Sequence, residues 1–178
     1  MIAILLNDAS FEQDIRELLM AFYPGETFTH KEEEAGEADL IVRGVRDGNS
    51  FSLDVTPVKK DAVHFALIYP DFSNRFETKN EIKQTLYRLL SAQTGRELPW
   101  GTLTGIRPTK IALTKLYDGW TDEQIETYMR ETYFTSKEKI DLSIDVAERE
   151  RRLLSTIDYE NGYSLYVGIP FCPTTCLY

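Results

Sequence analysis

The order of hydrophobic periodicities over the first 95 residues constrains the fold of this chain more than any other feature. Met1 to Leu6 is a short apolar run suited to a buried strand. The next apolar residues recur at i, i+3, i+4 and i+7, which makes one face of a helix: Ile15, Leu18, Leu19 and Phe22. Three β-branched or alternating runs then predict strands at about 40–45, 51–56 and 63–69, and Asp47-Gly48 predicts a hairpin between the first two.

A second helix is predicted from about Phe76 to a stop at Gly95. The first 95 residues therefore predict a small two-layer α/β unit of the order strand, helix, three strands and helix. The three strands are expected to be antiparallel, and the two helices to pack side by side on the sheet. The segment Lys31 to Glu37 has four glutamates and no large apolar residue, so we expect a solvated loop there.

After Gly95 the pattern changes to a helical unit. Residues 98–110 (LPWGTLTGIRPTK) contain two glycines and two prolines, and Pro108 suits the first turn of a helix that runs to about Tyr117. Two more helices follow, the second of them running to about Leu154. Three pairs have the spacing of a capping box at a helix start: Ser10 with Gln13, Thr121 with Gln124, and Thr135 with Glu138. We predict an α/β N-terminal domain at 1–96, a helical domain at 97–160, and a separate final segment at 161–178.

Composition narrows the class of protein. The 178 residues carry a formal net charge of -9, and a general nucleic-acid binder would instead present a basic face. No run approaches 18 consecutive apolar residues, so no membrane span is expected. The first residues lack the basic start of a secretory signal. We therefore expect a cytoplasmic protein in which thiols stay reduced.

The final segment holds both cysteines of the chain. Residues 163–167 predict a strand that Gly168 and Pro170 terminate, and Cys172 and Cys176 follow in the loop. Four residues span at most about 14 Å, so the two thiolates can converge on one small centre. Two buried small residues or a zinc site are the alternatives. Structural zinc takes four ligands, and the only histidines, His30 and His64, lie far away in the sequence.

This segment resembles the cluster loop of radical S-adenosylmethionine enzymes. More narrowly, it is similar to the oxygen-independent coproporphyrinogen III oxidase (dehydrogenase) family and its haem-chaperone relatives. The family pattern is a strand followed by Tyr-x-x-Ile-Pro-Phe-Cys-x3-Cys-x-aromatic-Cys. Seven residues match it: Tyr166, Ile169, Pro170, Phe171, Cys172, Cys176 and Tyr178. The family's third cysteine would come next, so the resemblance implies an N-terminal fragment in which 161–178 begins a truncated radical-SAM partial barrel.

The resemblance also implies cofactors. Three cysteines of the family hold a [4Fe–4S] cluster whose open iron takes S-adenosylmethionine, which is cleaved reductively to a 5′-deoxyadenosyl radical. Cys172 and Cys176 would be cluster ligands, Tyr166 would contact S-adenosylmethionine, and Tyr178 would lie beside the adenine. For both tyrosines, packing in the strand or loop is the alternative. The fragment alone is expected to bind no cofactor and to be inactive.

The implied substrate is a tetrapyrrole. The family converts coproporphyrinogen III to protoporphyrinogen IX by oxidative decarboxylation of propionates to vinyls, with an electron donor of the flavodoxin or ferredoxin type. Dehydrogenases proper have His at the position of Gly168, whereas a Gly-Ile-Pro-Phe-Cys branch shares the 98–110 stretch. This departure leaves a haem chaperone without dehydrogenase activity open as an alternative. A separate alternative is that residues 1–157 are only an accessory module for substrate entry or dimerisation. The oligomeric state is left open.

Residues 98–110 allow two interpretations. Arg107 and Lys110 could pair with the propionates of a tetrapyrrole, because a guanidinium binds a carboxylate in a bidentate way. The favoured interpretation is a tight turn that caps a helix and docks the helical unit on the barrel.

Overall fold

The computed structural model describes residues 1–58, 63–105, 107–158, 161–163, 165 and 167–168. The strands are β1 (Ile2–Leu6), β2 (Phe28–Thr29), β3 (Leu40–Asp47), β4 (Ser50–Pro57) and β5 (His64–Ile68). The α-helices are α1 (Glu12–Phe22), α2 (Arg75–Thr94), α3 (Thr109–Tyr117), α4 (Asp122–Tyr133) and α5 (Lys137–Leu154). Two 3₁₀ helices complete the set, Ala9–Phe11 and Glu32–Glu37.

The strands form one mixed sheet in the order β2-β1-β3-β4-β5. β1 runs parallel to both of its neighbours, while β3, β4 and β5 form an antiparallel meander. The predicted α/β class is therefore confirmed, as is the antiparallel arrangement of the three later strands. Strand β2 was not predicted, because two residues are too few to show an alternating pattern.

The core lies between one face of this sheet and the two helices α1 and α2. Alternate residues of β4 point into it, so Phe51, Leu53 and Val55 are fully buried. The helices contribute apolar residues to it, among them Leu18 of the predicted stripe of α1 and Leu86 of α2. Side-by-side packing of α1 and α2 on the sheet is thus as predicted.

Strand β5 forms one edge of the sheet, and two of its large apolar residues lie on the face opposite the core. Phe65 and Leu67 lie opposite Asp54 and Ser52 of β4, and both are exposed. Ala66 lies opposite the buried Leu53 and turns the smaller side chain toward the core. The alternation therefore predicted the strand correctly, but Phe65 and Leu67 lie on the face away from the helices, while Ile68 packs against the core.

The acidic segment after β2 is not the irregular loop that was predicted. Glu32–Glu37 forms a 3₁₀ helix in which Ala35 is buried. Ala35 packs with Ala3 and Ala38 on the second face of the sheet. The glutamates remain near the surface, where Glu32 pairs with Arg43. Small alanines explain why this segment can approach the sheet although it contains no large apolar residue.

Two of the predicted helix ends are confirmed. Gly95 closes α2 in the left-handed region with φ 68°, and its N–H donates to the carbonyl of Ser91 at 2.8 Å. Thr121 and Gln124 form the complete capping box of α4.

Two other predicted caps were wrong. Asp8, rather than Ser10, is the capping residue ahead of α1. The carboxylate of Asp8 accepts a hydrogen bond from the N–H of Ser10 at 2.9 Å, at the start of the 3₁₀ helix Ala9–Phe11. Ser136, rather than Thr135, caps α5. A capping side chain works only on the residue whose backbone is extended at the helix start, and the sequence leaves that position uncertain by one or two residues.

The three later helices enclose a second, smaller core, in which α3 packs on α5. It consists of Ala112, Leu113, Leu116, Ile125, Met129, Ile140, Ile144 and Ala147. The domain boundaries at 96/97 and 160/161 stay a prediction. Within the described part of the chain, no helix combines the length and the apolar character that crossing a membrane requires.

Candidate functional site

The four residues predicted to bind cofactors lie outside the described residues. These are the proposed cluster ligands Cys172 and Cys176 and the proposed cofactor contacts Tyr166 and Tyr178. Their roles stay predictions. In the described ranges, no group of three His, Cys, Asp or Glu side chains is placed to hold a metal ion.

The described residues just ahead of the cysteines are highly exposed. Tyr163, Leu165 and Val167 expose 92%, 79% and 89% of their surface, and none of these three has strand conformation. The predicted strand at 163–167 is therefore not formed at these three positions. A strand needs hydrogen-bonding neighbours to be stable, and the five-stranded sheet does not supply any to these residues.

In its described residues, the stretch that links α2 to α3 is held by several hydrogen bonds. Gly101 adopts φ 57°, and its N–H donates to the carbonyl of Leu98 at 2.8 Å. A Cβ at this position would overlap the carbonyl oxygen of Tyr133 and lie 2.6 Å from that of Phe134. The turn therefore requires glycine both for its backbone angle and for its close approach to the end of α4.

Backbone hydrogen bonds attach this turn to the helical unit. The Thr102 N–H donates to the Tyr133 carbonyl at 2.8 Å, and the Ser136 N–H donates to the Pro99 carbonyl at 2.9 Å. The turn therefore holds the junction between α4 and α5.

Side chains attach the same stretch to the α/β unit. The Lys83 ammonium donates to Thr104 Oγ1 at 2.9 Å, and the Thr104 hydroxyl donates to Glu17 Oε2 at 2.8 Å. The backbone N–H of Leu98 donates to the hydroxyl of Tyr87 at 2.9 Å. The stretch thus connects α1, α2 and the helical unit. The stretch therefore docks the helical unit on the α/β unit, and the predicted docking on a barrel stays a prediction.

Lys83 is a buried charge, with only 7% of its surface exposed. Burial lowers the pKa of its ammonium, an effect that Asp14 and Glu17 oppose. The sequence analysis missed this residue. The sequence feature that could have indicated its burial is its position between Ile82 and Leu86, two buried residues of α2.

A cleft of about 600 Å³ lies between α1 and the linking stretch. Its walls include Met20, Trp100 and Leu103, and its carboxylate is Glu17. That carboxylate already accepts the hydrogen bond of Thr104. The hydroxyl of Thr104 and the carboxylate of Glu17 are therefore already hydrogen-bonded to each other, so we interpret the cleft as the boundary between packed elements.

Arg107 and Lys110 lie on the other side of the stretch, at the start of α3. Arg107 pairs with Glu150 of α5 at 2.7 Å, and its side chain is 59% exposed. Lys110 is exposed and forms no ion pair with any other residue in the described ranges. Both border a cleft of about 340 Å³. The structure therefore brings the two predicted carboxylate-binding residues together at one opening.

Comparison with known proteins gives one informative similarity. The chain is 36% identical, over 119 residues, to the oxygen-independent coproporphyrinogen-III oxidase-like protein HemZ of Bacillus subtilis (strain 168). The aligned region covers 65% of this chain and 24% of that protein, so the chain spans about a quarter of its relative's length. No family model and no solved structure matches the chain. The similarity supports the family resemblance found in the sequence.

Proposed function

We propose that this chain is the N-terminal part of a radical S-adenosylmethionine protein of the coproporphyrinogen III oxidase-like family, in its Gly-Ile-Pro-Phe-Cys branch. The observation that carries the proposal is the matched segment from Tyr166 to Tyr178, which contains both cysteines. The 36% identity to a coproporphyrinogen oxidase-like protein supports it independently, because the alignment is far longer than that segment.

The donor set is compatible with the proposed cluster. Thiolates are the ligands that iron–sulfur clusters use, and Cys172 and Cys176 provide two of them. The family's cluster takes three cysteines, and we propose that the third lies outside these 178 residues. When bound, the cluster supplies the electron that cleaves S-adenosylmethionine. Tyr166 is proposed to contact that cofactor, and Tyr178 to cover its adenine.

The proposed reaction of the whole protein is the oxidative decarboxylation of coproporphyrinogen III to protoporphyrinogen IX. A flavodoxin or ferredoxin is the proposed electron donor. These 178 residues alone are proposed to be inactive, because their ligand set is incomplete. We place the protein in the cytoplasm.

A haem chaperone is the second candidate, and Gly168 favours it. Dehydrogenases of the family have histidine at this position, whereas this chain has no side chain there. A chaperone would retain the cluster and bind haem without decarboxylating a porphyrinogen.

Anaerobic reconstitution of the full-length protein tests the proposal. We expect about four irons per chain, loss of the cluster in Cys172→Ser and Cys176→Ser, and 5′-deoxyadenosine when S-adenosylmethionine and a reductant are added. Vinyl products from coproporphyrinogen III would support the dehydrogenase. Haem binding with 5′-deoxyadenosine but no vinyl product would favour the chaperone.

The 178-residue chain is the matched control. It is expected to hold less than one cluster per chain and to release no 5′-deoxyadenosine. A full-length protein whose iron content is unchanged by Cys172→Ser would refute the cluster assignment.

A further inference from the structure

A shallow cleft of about 340 Å³ opens where the start of α2 meets α3 and α4. Its floor is apolar and aromatic, with Phe76 from α2, Ile111 from α3, and Tyr128 and Tyr133 from α4. The volume is at the lower end of the range of small-molecule sites, roughly 300–1,000 Å³. The cleft can therefore enclose a ring or the edge of a larger planar molecule.

The rim of this cleft is cationic, in a chain whose formal net charge is -9. Arg107, Lys110 and Lys115 all border it. Among the described residues, the carboxylates that contact these cations are Glu150, at 2.7 Å from Arg107, and Asp118, at 3.7 Å from Lys115. Three cations against two carboxylates leave a positive excess, and Lys110 carries it.

The three cations differ in how freely they can move. Lys115 is fixed by two aromatic rings, since its ammonium lies 4.3 Å from the ring centre of Trp120 and 5.2 Å from that of Tyr128. Among the described residues, Arg107 is held by one ion pair at the surface, and such exposed pairs add little to the stability of the fold. Arg107 can therefore exchange Glu150 for a ligand carboxylate. Lys110 has no ion pair with another described residue, so it can bind a ligand carboxylate without breaking one.

The floor also offers a hydrogen-bond donor. The hydroxyls of Tyr128 and Tyr133 lie 3.3 Å apart, and either can donate to the other. Whichever does so, the second hydroxyl keeps its own hydrogen. Burial raises the pKa of Tyr133, so that phenol is protonated at neutral pH.

We propose that this cleft binds the carboxylate-bearing edge of a planar aromatic ligand. The ring lies on Phe76 and Tyr128, and the carboxylates pair with Arg107 and Lys110. Of the described residues that line the cleft, none is a glycine, whereas phosphate sites are commonly built on glycine-rich turns. A propionate-bearing tetrapyrrole belongs to this ligand class, and naming it rests on the proposed function.

Fluorescence titration of the 178-residue chain with coproporphyrin III in air tests this proposal without any cluster. Lys110→Ala and Arg107→Ala are each expected to weaken binding about tenfold, because each removes a charged partner of a carboxylate. Glu150→Gln is expected to tighten binding about twofold, since it frees Arg107. Arg149→Ala is the matched control, because Arg149 pairs with Asp145 on α5, apart from the residues that line the cleft. It should leave affinity unchanged.

Competition then tests the ligand class. 2-Naphthoate is expected to displace the porphyrin, whereas adipate at the same concentration is not. Equal displacement by adipate would overturn the aromatic part of the proposal. Equal affinity of the wild type, Lys110→Ala and Arg107→Ala would overturn the site.

Either failure leaves the proposed function standing, because formation of 5′-deoxyadenosine by the full-length protein is measured separately. Far-UV circular dichroism of each variant verifies that it is folded.

Discussion

The α/β unit and the helices after Gly95 are stabilised in different ways. Among the described residues, the α/β core contains sixteen buried residues, and its largest fully buried side chains are Phe22 and Phe51. The helical core contains eight, of which Ala112 and Ala147 are small. A unit of roughly fifty residues buries a smaller fraction of its surface than a larger domain does, so its own core stabilises it less. The backbone contacts of the linking stretch therefore add to the stability of the helices, whereas the sheet layer depends on its own core.

The largest effect on stability is expected at Gly101, where the linking stretch contacts the end of α4. Gly101→Ala is expected to lower the free energy of unfolding by about 3–5 kcal/mol. The alanine would have to adopt a positive φ, and its Cβ would overlap the carbonyl of Tyr133. Hydrogen exchange should show faster exchange in α4 and α5, while the α/β core keeps its protection.

Gly105→Ala is the matched control in the same stretch. A Cβ there has no neighbour within 4 Å, and Gly105 does not have a positive φ. Its free energy of unfolding should change by less than about 1 kcal/mol. Uniform loss of protection across both units in Gly101→Ala would show that they unfold together. That result would contradict the view that the two units are stabilised in different ways.

Paired core truncations give the next largest effect. Leu86→Ala removes a fully buried side chain from the α/β core and is expected to cost about 3–4 kcal/mol. Leu113→Ala, in the smaller helical core, should cost about 2 kcal/mol, since Leu113 is partly accessible and the site can relax.

Urea unfolding measures both truncations. Circular dichroism reports on the whole chain, whereas the fluorescence of Trp100 and Trp120 reports on the linking stretch and the helical unit. A greater loss in Leu113→Ala than in Leu86→Ala would contradict the assignment of the larger core to the sheet layer.

The smallest effect is expected at Lys83, where the two units share a polar contact. Lys83→Met is expected to leave stability at pH 7 unchanged or to raise it by about 1 kcal/mol or less, because burial already disfavours the ammonium. A lysine whose pKa is lowered on folding binds fewer protons when folded. Wild-type stability should therefore rise with pH from the lowered pKa up to the ordinary lysine value of 10.5.

Thermal unfolding across pH 7 to 10.5 tests this sign. The advantage of Lys83→Met over the wild type should shrink as pH rises. A gap that widens with pH would mean that Lys83 is stabilised as a cation.

The amino-acid sequence by itself determined the order of the longer strands and of the α-helices. Strand and helix periodicities are local, and so are the stop at Gly95 and the capping box at Thr121, so these features could be predicted from neighbouring residues. The cysteine segment was likewise recognised from its pattern alone. Its role stays a prediction, because its residues lie outside those described.

The tertiary structure alone decided which distant residues meet. The contacts from Lys83 to Thr104 and from Arg107 to Glu150 join positions that no local spacing relates. The same holds for β2, whose two residues become a strand only because β1 lies beside them. Periodicity reports which face of an element is apolar, whereas the partner of that face depends on how the whole chain packs.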